Sequence, residues 1–334
     1  MKKLFFSLVA ATMAATATFA QSSMLATLSH NGEISTYYGA SALRDAYNAS
    51  ANGDIITLSG GSFNAVDIEK GITIRGAGMA IDSTSQTEPT VIIGDFNISV
   101  PDTISKRLTL EGIYSNHIVY VNKNLKNATF LKDRFYKITY NNTTTVTNLT
   151  MIHCRVANSL TVYQGSVSCV NCVVVEPSQY TVSKVNYEFV NSVVIKQYFS
   201  DLNAVSYKNC ILHGTGNNSS NSYAIPVGGV AYNCVGIVSY SIFNNIPNTT
   251  NVRKQLSEVF KTYNGTFNDD ELFELTDDAK TTLLGLDGTQ VGMYGGNLPF
   301  SPTPTNPQIT KCNVAAKSTA DGKLSVDITV NGAE

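Results

Sequence analysis

Two neighbouring repeats hold the densest group of reactive side chains in the sequence: Lys132, Asp133 and Arg134 on one, His153 and Arg155 on the next. Aligned on the phrases FLKD and MIHC, which end at Asp133 and Cys154, Arg134 falls beside Arg155. Two guanidinium groups so placed would grip an anionic sugar or a carboxylate through paired hydrogen bonds. The same residues also read as a solvated patch in which Asp133 relieves the repulsion, the commoner meaning of a surface charge cluster. His153, Cys154, Cys169 and Cys172 offer a zinc alternative, because CVNC has ligand spacing. Unpaired cysteine more often behaves as a small buried apolar group, so neither a metal nor another cofactor is expected.

Polysaccharide cleavage needs carboxylates: several to hold Ca²⁺ in a lyase with a basic residue as base, or a facing pair in a hydrolase. Between residues 104 and 250 the acids are Glu111, Asp133, Glu176, Glu188 and Asp201, spread over several repeats. The adjacent acids Asp269/Asp270 and Asp277/Asp278 fall near the C-terminal end. No catalytic residue is assigned. Tyrosine recurs once per repeat at Tyr120, Tyr140, Tyr163, Tyr180 and Tyr198, continuing to Tyr223 and Tyr240. An exposed stripe of this kind would be a platform for sugar rings, and a buried one would be core. Polar neighbours such as Thr139, Asn141, Gln164 and Thr181 favour the inward direction by strand alternation.

What must position these residues is a recurring phrase: an apolar residue, any residue, a polar or small residue, then a small or apolar one before a β-branched run. It ends at Ile113, Asp133, Cys154, Cys172, Ser192, Cys210 and Cys234, at intervals of 20, 21, 18, 20, 18 and 24. A fixed period of that size without helical spacing means a stacked β-solenoid. One coil cannot bury its inner face, whereas stacked coils bury a continuous core, so like residues stack on like. Cys154, Cys172, Cys210 and Cys234, with Ser192 among them, are expected to form an internal ladder of free thiols, with a Cys154–Cys172 bridge the alternative. Asn171, Asn191, Asn209 and Asn233, one residue earlier, are expected to hydrogen-bond to one another along a corner.

Lys2 and Lys3, the apolar run from Leu4 to Ala15 and the small residues around Ala20 have the layout of a signal peptide, residues 1–20, so an exported protein is expected. The net charge of −2 becomes more negative once those lysines are removed, and no basic run follows. Nucleic acid is therefore not an expected partner, and neither is a membrane span, since no later segment is long and apolar enough.

The stretch GASALRDAYNASANGDIITLSGGSF followed by VDIEKGITIRGAG resembles the opening segment of the pectate-lyase-like β-helix superfamily. There a short amphipathic helix caps the first coil, and here Leu43, Ala46 and Tyr47 would supply its apolar face. FELTDDAKTTLLGLDGTQVGMYGG and LPFSPTPTNP resemble the closing segment of exported β-helix proteins of the Bacteroides group. The resemblance implies an all-β, right-handed parallel β-helix of about 20 residues per coil. An N-terminal capping helix, a Pro-rich linker and a short β tail complete it. The boundaries read 21–297 for the β-helix with its caps, 298–307 for the linker and 308–334 for the tail. The coils are expected over about 40–250, entered by a helix near 41–50 and closed by a shorter helix near 253–262. The hydrolase signatures NTD, GHG and RIK are absent.

The function expected is binding of a polysaccharide or another cell-surface component without catalysis, the alternative being a lyase or glycoside hydrolase with an atypical site. Asp82-Ser83-Thr84 and Asp102-Thr103-Ile104 match a short bacterial O-glycosylation pattern. Leu324, Val326, Ile328 and Val330 alternate with polar residues, a half-buried strand expected to dock on the solenoid.

Overall fold

The computed structural model describes residues 24–81, 87–141, 144–179, 185–216, 223–238, 242–246, 250–305, 307–314, 317–319 and 321–331. The signal-peptide reading, Asp82-Ser83-Thr84, Tyr180 and Tyr240 lie outside them, while Asp102 and Thr103 are exposed. Two long, mainly parallel sheets wind as a right-handed β-solenoid of about nine turns. The hand is the one that right-twisted strands impose on parallel crossovers.

The strands of the coils turn alternate residues inward, so each sheet builds a ladder across the coils. In the first sheet the inward ladder is Ile56, Ile74, Leu110, Phe130, Met151, Cys169, Phe189, Tyr207 and Ala231. In the second it runs Phe63, Ile92, Ser115, Phe135, Val156, Val174, Val194, Leu212 and Gly236. The helix Ala42–Ala49 caps the first coil with Leu43, Ala46 and Tyr47 buried, as the spacing predicts. Ahead of it an antiparallel hairpin, Leu25–His30 with Glu33–Tyr38, pairs with the first solenoid strand. That hairpin was not expected from the sequence, and it adds cover to an edge that would otherwise invite pairing.

The chain passes from the first sheet to the second through a one-residue corner in the left-handed region. Gly112, Lys132, His153, Asn171, Asn191, Asn209 and Asn233 occupy it in successive coils, with φ from 45° to 67°. This is why asparagine recurs there: its short side chain tolerates a conformation that costs most residues about 1–2 kcal/mol. Each corner N–H through Asn209 donates to a carbonyl of the following coil, as from Asn171 to Val190 at 3.0 Å. The next N–H along the chain has no carbonyl to meet. The cysteine ladder supplies the acceptors: Cys154 N–H donates to Cys172 Sγ at 3.3 Å and Cys172 N–H to Ser192 Oγ at 3.1 Å. Cys210 N–H likewise donates to Cys234 Sγ at 3.5 Å. Cys154, Cys169, Cys172, Cys210 and Cys234 are buried and unbridged.

The asparagine corner differs from expectation, because the amides bond to the closing segment rather than to one another. After the short helices Leu256–Val259 and Asp277–Thr282 the chain turns back along this corner toward the first coils. Asn233 donates to Leu284 O, Asn209 accepts from Leu286 N–H, and Asn171 donates to Met293 O and Gly295 O at 2.8 and 2.7 Å. A corner bend turns side chains outward, where carbonyls of a crossing segment are better partners than identical amides. On the second sheet Val173, Val193, Ile211 and Val235 face outward, yet they are buried under Val259, Phe260, Phe273, Leu275, Val291 and Met293. The runs VVV and VVI are thus apolar on both faces, the pattern of a sheet covered on both sides.

The tail also departs from expectation. Val326–Asn331 pairs with Gln308–Val314 in a separate antiparallel ribbon, and Leu324, Val326, Ile328 and Val330 are exposed instead of docked on the solenoid. Pairing with the preceding strand closes only a short loop, and the outward apolar face of the second sheet is already covered.

Candidate functional site

Four of the five corner residues, Lys132, Arg134, His153 and Arg155, come together as their alignment implies: Arg134 pairs in register with Arg155, and they follow the left-handed residues Lys132 and His153. The hydrogen-bond and ion-pair partners of these four belong to the protein's own closing segment. Lys132 Nζ donates to Thr303 O at 2.6 Å, and His153 Nε2 lies 3.0 Å from Leu298 O with its ring against Phe300. Arg134 reaches Asp269 and Asp270 at 2.9 and 3.0 Å and lies over the Tyr114 ring. Arg155 Nη2 donates to Glu271 O, and its guanidinium approaches the Phe273 and Phe300 rings. Sequence reading missed Asp269 and Asp270 as partners. Their signal was charge complementarity to Arg134, which no local spacing reveals. Asp277 and Asp278 begin a helix capped by Thr276, a favourable place for acids.

Asp133 does not face the arginines. It occupies the cysteine ladder position, fully buried, and accepts from Ile113 N–H at 2.8 Å and Leu131 N–H at 3.2 Å. Burial pushes its carboxyl well above the usual range, and the charge of Glu111 adds to this. The folded protein therefore holds more protons than the unfolded chain above roughly pH 4, so stability falls as pH rises through that window, by up to about 1.4 kcal/mol per pH unit. Asp133→Cys keeps a ladder acceptor without an ionisable carboxylate. Urea unfolding across that range should show a flatter pH profile for Asp133→Cys, whereas identical profiles would mean that Asp133 does not titrate there.

The tyrosines do not form one row. Tyr140 is buried, in register with Val121 and beside Thr139, which opposes Tyr120; Tyr120, Tyr163, Tyr198 and Tyr223 are half-buried. A one-residue offset between coils moves a side chain to the other face, which breaks the stripe that the numbering suggests. Tyr198 and Tyr223 stack at 4.0 Å. Among the described residues no group of three or more His, Cys, Asp or Glu side chains gathers to hold a metal, and no helix is long and apolar enough to cross a membrane.

The open surface is the outer face of the first sheet. Thr73, Thr109, Thr129, Thr150, Ser168, Glu188 and Ser206 form a continuous outward row. Ser166 and Asn186 stand beside it, in register with Ala204. From Asn148 to Val230 this face is an open groove of about 600 Å³. Across five strands at about 4.8 Å each it extends on the order of 19 Å. Its charged side chain is Glu188, whose carboxylate accepts from Ser168 at 3.1 Å. Sequence reading missed the groove because short hydroxyl residues carry no motif.

No protein-family model matches the chain, and no curated protein sequence matches it. Among solved structures, the crystal structure of pectate lyase Pel9A is similar, at 14% identity and a TM-score of 0.38, over 78% of this chain and 88% of that one.

Proposed function

We propose that the protein is exported and binds a neutral glycan, without cleaving it, in the groove on the first sheet. The observation that carries this reading is the lining: rows of hydroxyl and amide side chains, open to solvent over five coils, with one carboxylate. Such side chains both donate to and accept from sugar hydroxyls. A lone Glu188 accepts from neutral sugars and repels polyuronates. It also lacks the second carboxylate that acid–base hydrolysis requires, and no arginine or lysine in the groove supplies a lyase base.

The test is a glycan array probed with the full chain, followed by titration of any hit against Ser168→Trp. The indole would fill the groove centre, so binding should weaken at least about tenfold, or 1.4 kcal/mol, with the unfolding midpoint little changed. Hits confined to acidic glycans, or an unchanged affinity in Ser168→Trp, would overturn the assignment. New reducing or unsaturated ends on incubation with polysaccharide would show cleavage instead.

A further inference from the structure

The groove on the first sheet has a fixed period. Thr150, Ser168, Glu188, Ser206 and Val230 stand in register on successive strands, and the backbone ladder spaces them about 4.8 Å apart. A second row, Ser166, Asn186 and Ala204, lies two residues earlier on each strand, about 6.6 Å away. The trough is therefore about one sugar ring wide, and its length runs along the solenoid axis from the coil of Asn148 to that of Val230.

Its polar side chains are unevenly engaged. Asn148 is tied to Ser166, and Ser168 to Glu188. Among the described residues, the side chains of Thr150, Asn186 and Ser206 make no hydrogen bond within the protein, and each of them faces the groove. Two residues beyond the hydroxyl row, Ile152, Val170 and Val190 line up in register and are half-buried, with Lys208 and Tyr232 continuing the row. Free polar groups and an apolar strip thus run side by side along the axis.

We infer that the ligand is an unbranched, neutral β-1,4-linked glycan lying along the solenoid axis with one sugar per coil. The assignment rests on the groove being a glycan site and names the class of glycan. Linkages that are equatorial at both ends draw such a chain into a straight ribbon that advances roughly one strand spacing, about 5 Å, per sugar. Its hydroxyls line the two edges, and its C–H faces are apolar. One edge then meets the free groups of Thr150, Asn186 and Ser206, which both donate and accept, while a face reaches toward Ile152, Val170 and Val190. An α-1,4-linked glucan coils and leaves a straight trough within a few sugars, and a branch has no room in a trough one ring wide.

The experiment is calorimetry of the full chain with β-1,4-linked gluco-, manno- and xylo-oligosaccharides of two to six sugars, with malto-oligosaccharides of the same lengths as the coiled control. In at least one β-1,4 series affinity should climb with each added sugar and level off at about four or five, the number that fits roughly 19 Å of groove. The tetramer should bind at least about tenfold more tightly than the dimer, and at least about tenfold more tightly than maltotetraose. Ser206→Trp blocks the groove at its fourth coil. It should shorten the plateau length by about two sugars, with dimer affinity and the unfolding midpoint unchanged. Equal affinity for maltotetraose, a plateau already reached at the dimer, or an unmoved plateau in Ser206→Trp would overturn the linkage and direction while leaving the groove a glycan site. Array hits sensitive to Ser168→Trp with no binding in any β-1,4 series would do the same. Absence of saturable binding by every glycan, in these series and on the array, would overturn both.

Discussion

Replacing Phe189 by alanine is expected to lower folding stability by about 3–5 kcal/mol, the usual cost of emptying a buried aromatic site. Phe189 is fully buried, and its ring stacks on Tyr187 at 5.6 Å and on Tyr207 at 5.4 Å, each 13° from parallel. Above and below, Cys169 and Tyr207 occupy the same ladder position. Parallel hydrogen bonds hold the coils at fixed spacing, so the backbone cannot close over the void as a loop would. Phe189→Leu refills part of the volume and should lose clearly less. Chemical denaturation checks both, and a loss under about 1 kcal/mol for Phe189→Ala would mean that the core relaxes more readily than the stacked geometry allows.

The second large effect is expected at Asn171. Its left-handed backbone, φ 51°, costs a non-glycine, non-asparagine residue about 1–2 kcal/mol. Its amide donates to Met293 O and Gly295 O, both buried contacts. Losing a donor to a buried carbonyl costs about 1–3 kcal/mol, so Asn171→Ala should cost about 2–4 kcal/mol once the two effects are combined without assuming full additivity. Asn171→Gly restores the backbone freedom but not the hydrogen bonds. It should recover only the smaller part of the loss, and hydrogen exchange over residues 284–305 should rise in both variants. Full recovery by glycine would show that the amide does not hold the closing segment.

The repeat, the cysteine ladder and the capping helix were legible in the sequence because each is a consequence of stacking. A residue that suits one coil suits the same place in the next, so the period exposes the fold without any knowledge of its neighbours. Leu43, Ala46 and Tyr47 were equally readable, since helical spacing alone places them on one face. The tyrosine row failed for the complementary reason: counting residues does not register a strand, and the offset between Tyr120 and Tyr140 comes from hydrogen-bond pairing.

The charged corner illustrates the same boundary. Sequence periodicity alone determined that Arg134 and Arg155 would be neighbours, because they hold equivalent places in adjacent coils. Only the tertiary structure decided what they face. The closing segment returns more than a hundred residues later and brings Asp269, Asp270, Glu271 and Phe300 to them. That same return covers the second sheet and leaves the first open, which is what makes one row of threonines and serines a groove. Local pattern follows from strand geometry, which repeats with every coil. Partnership across a surface follows from where a non-repeating segment finds its best burial, and no period encodes that.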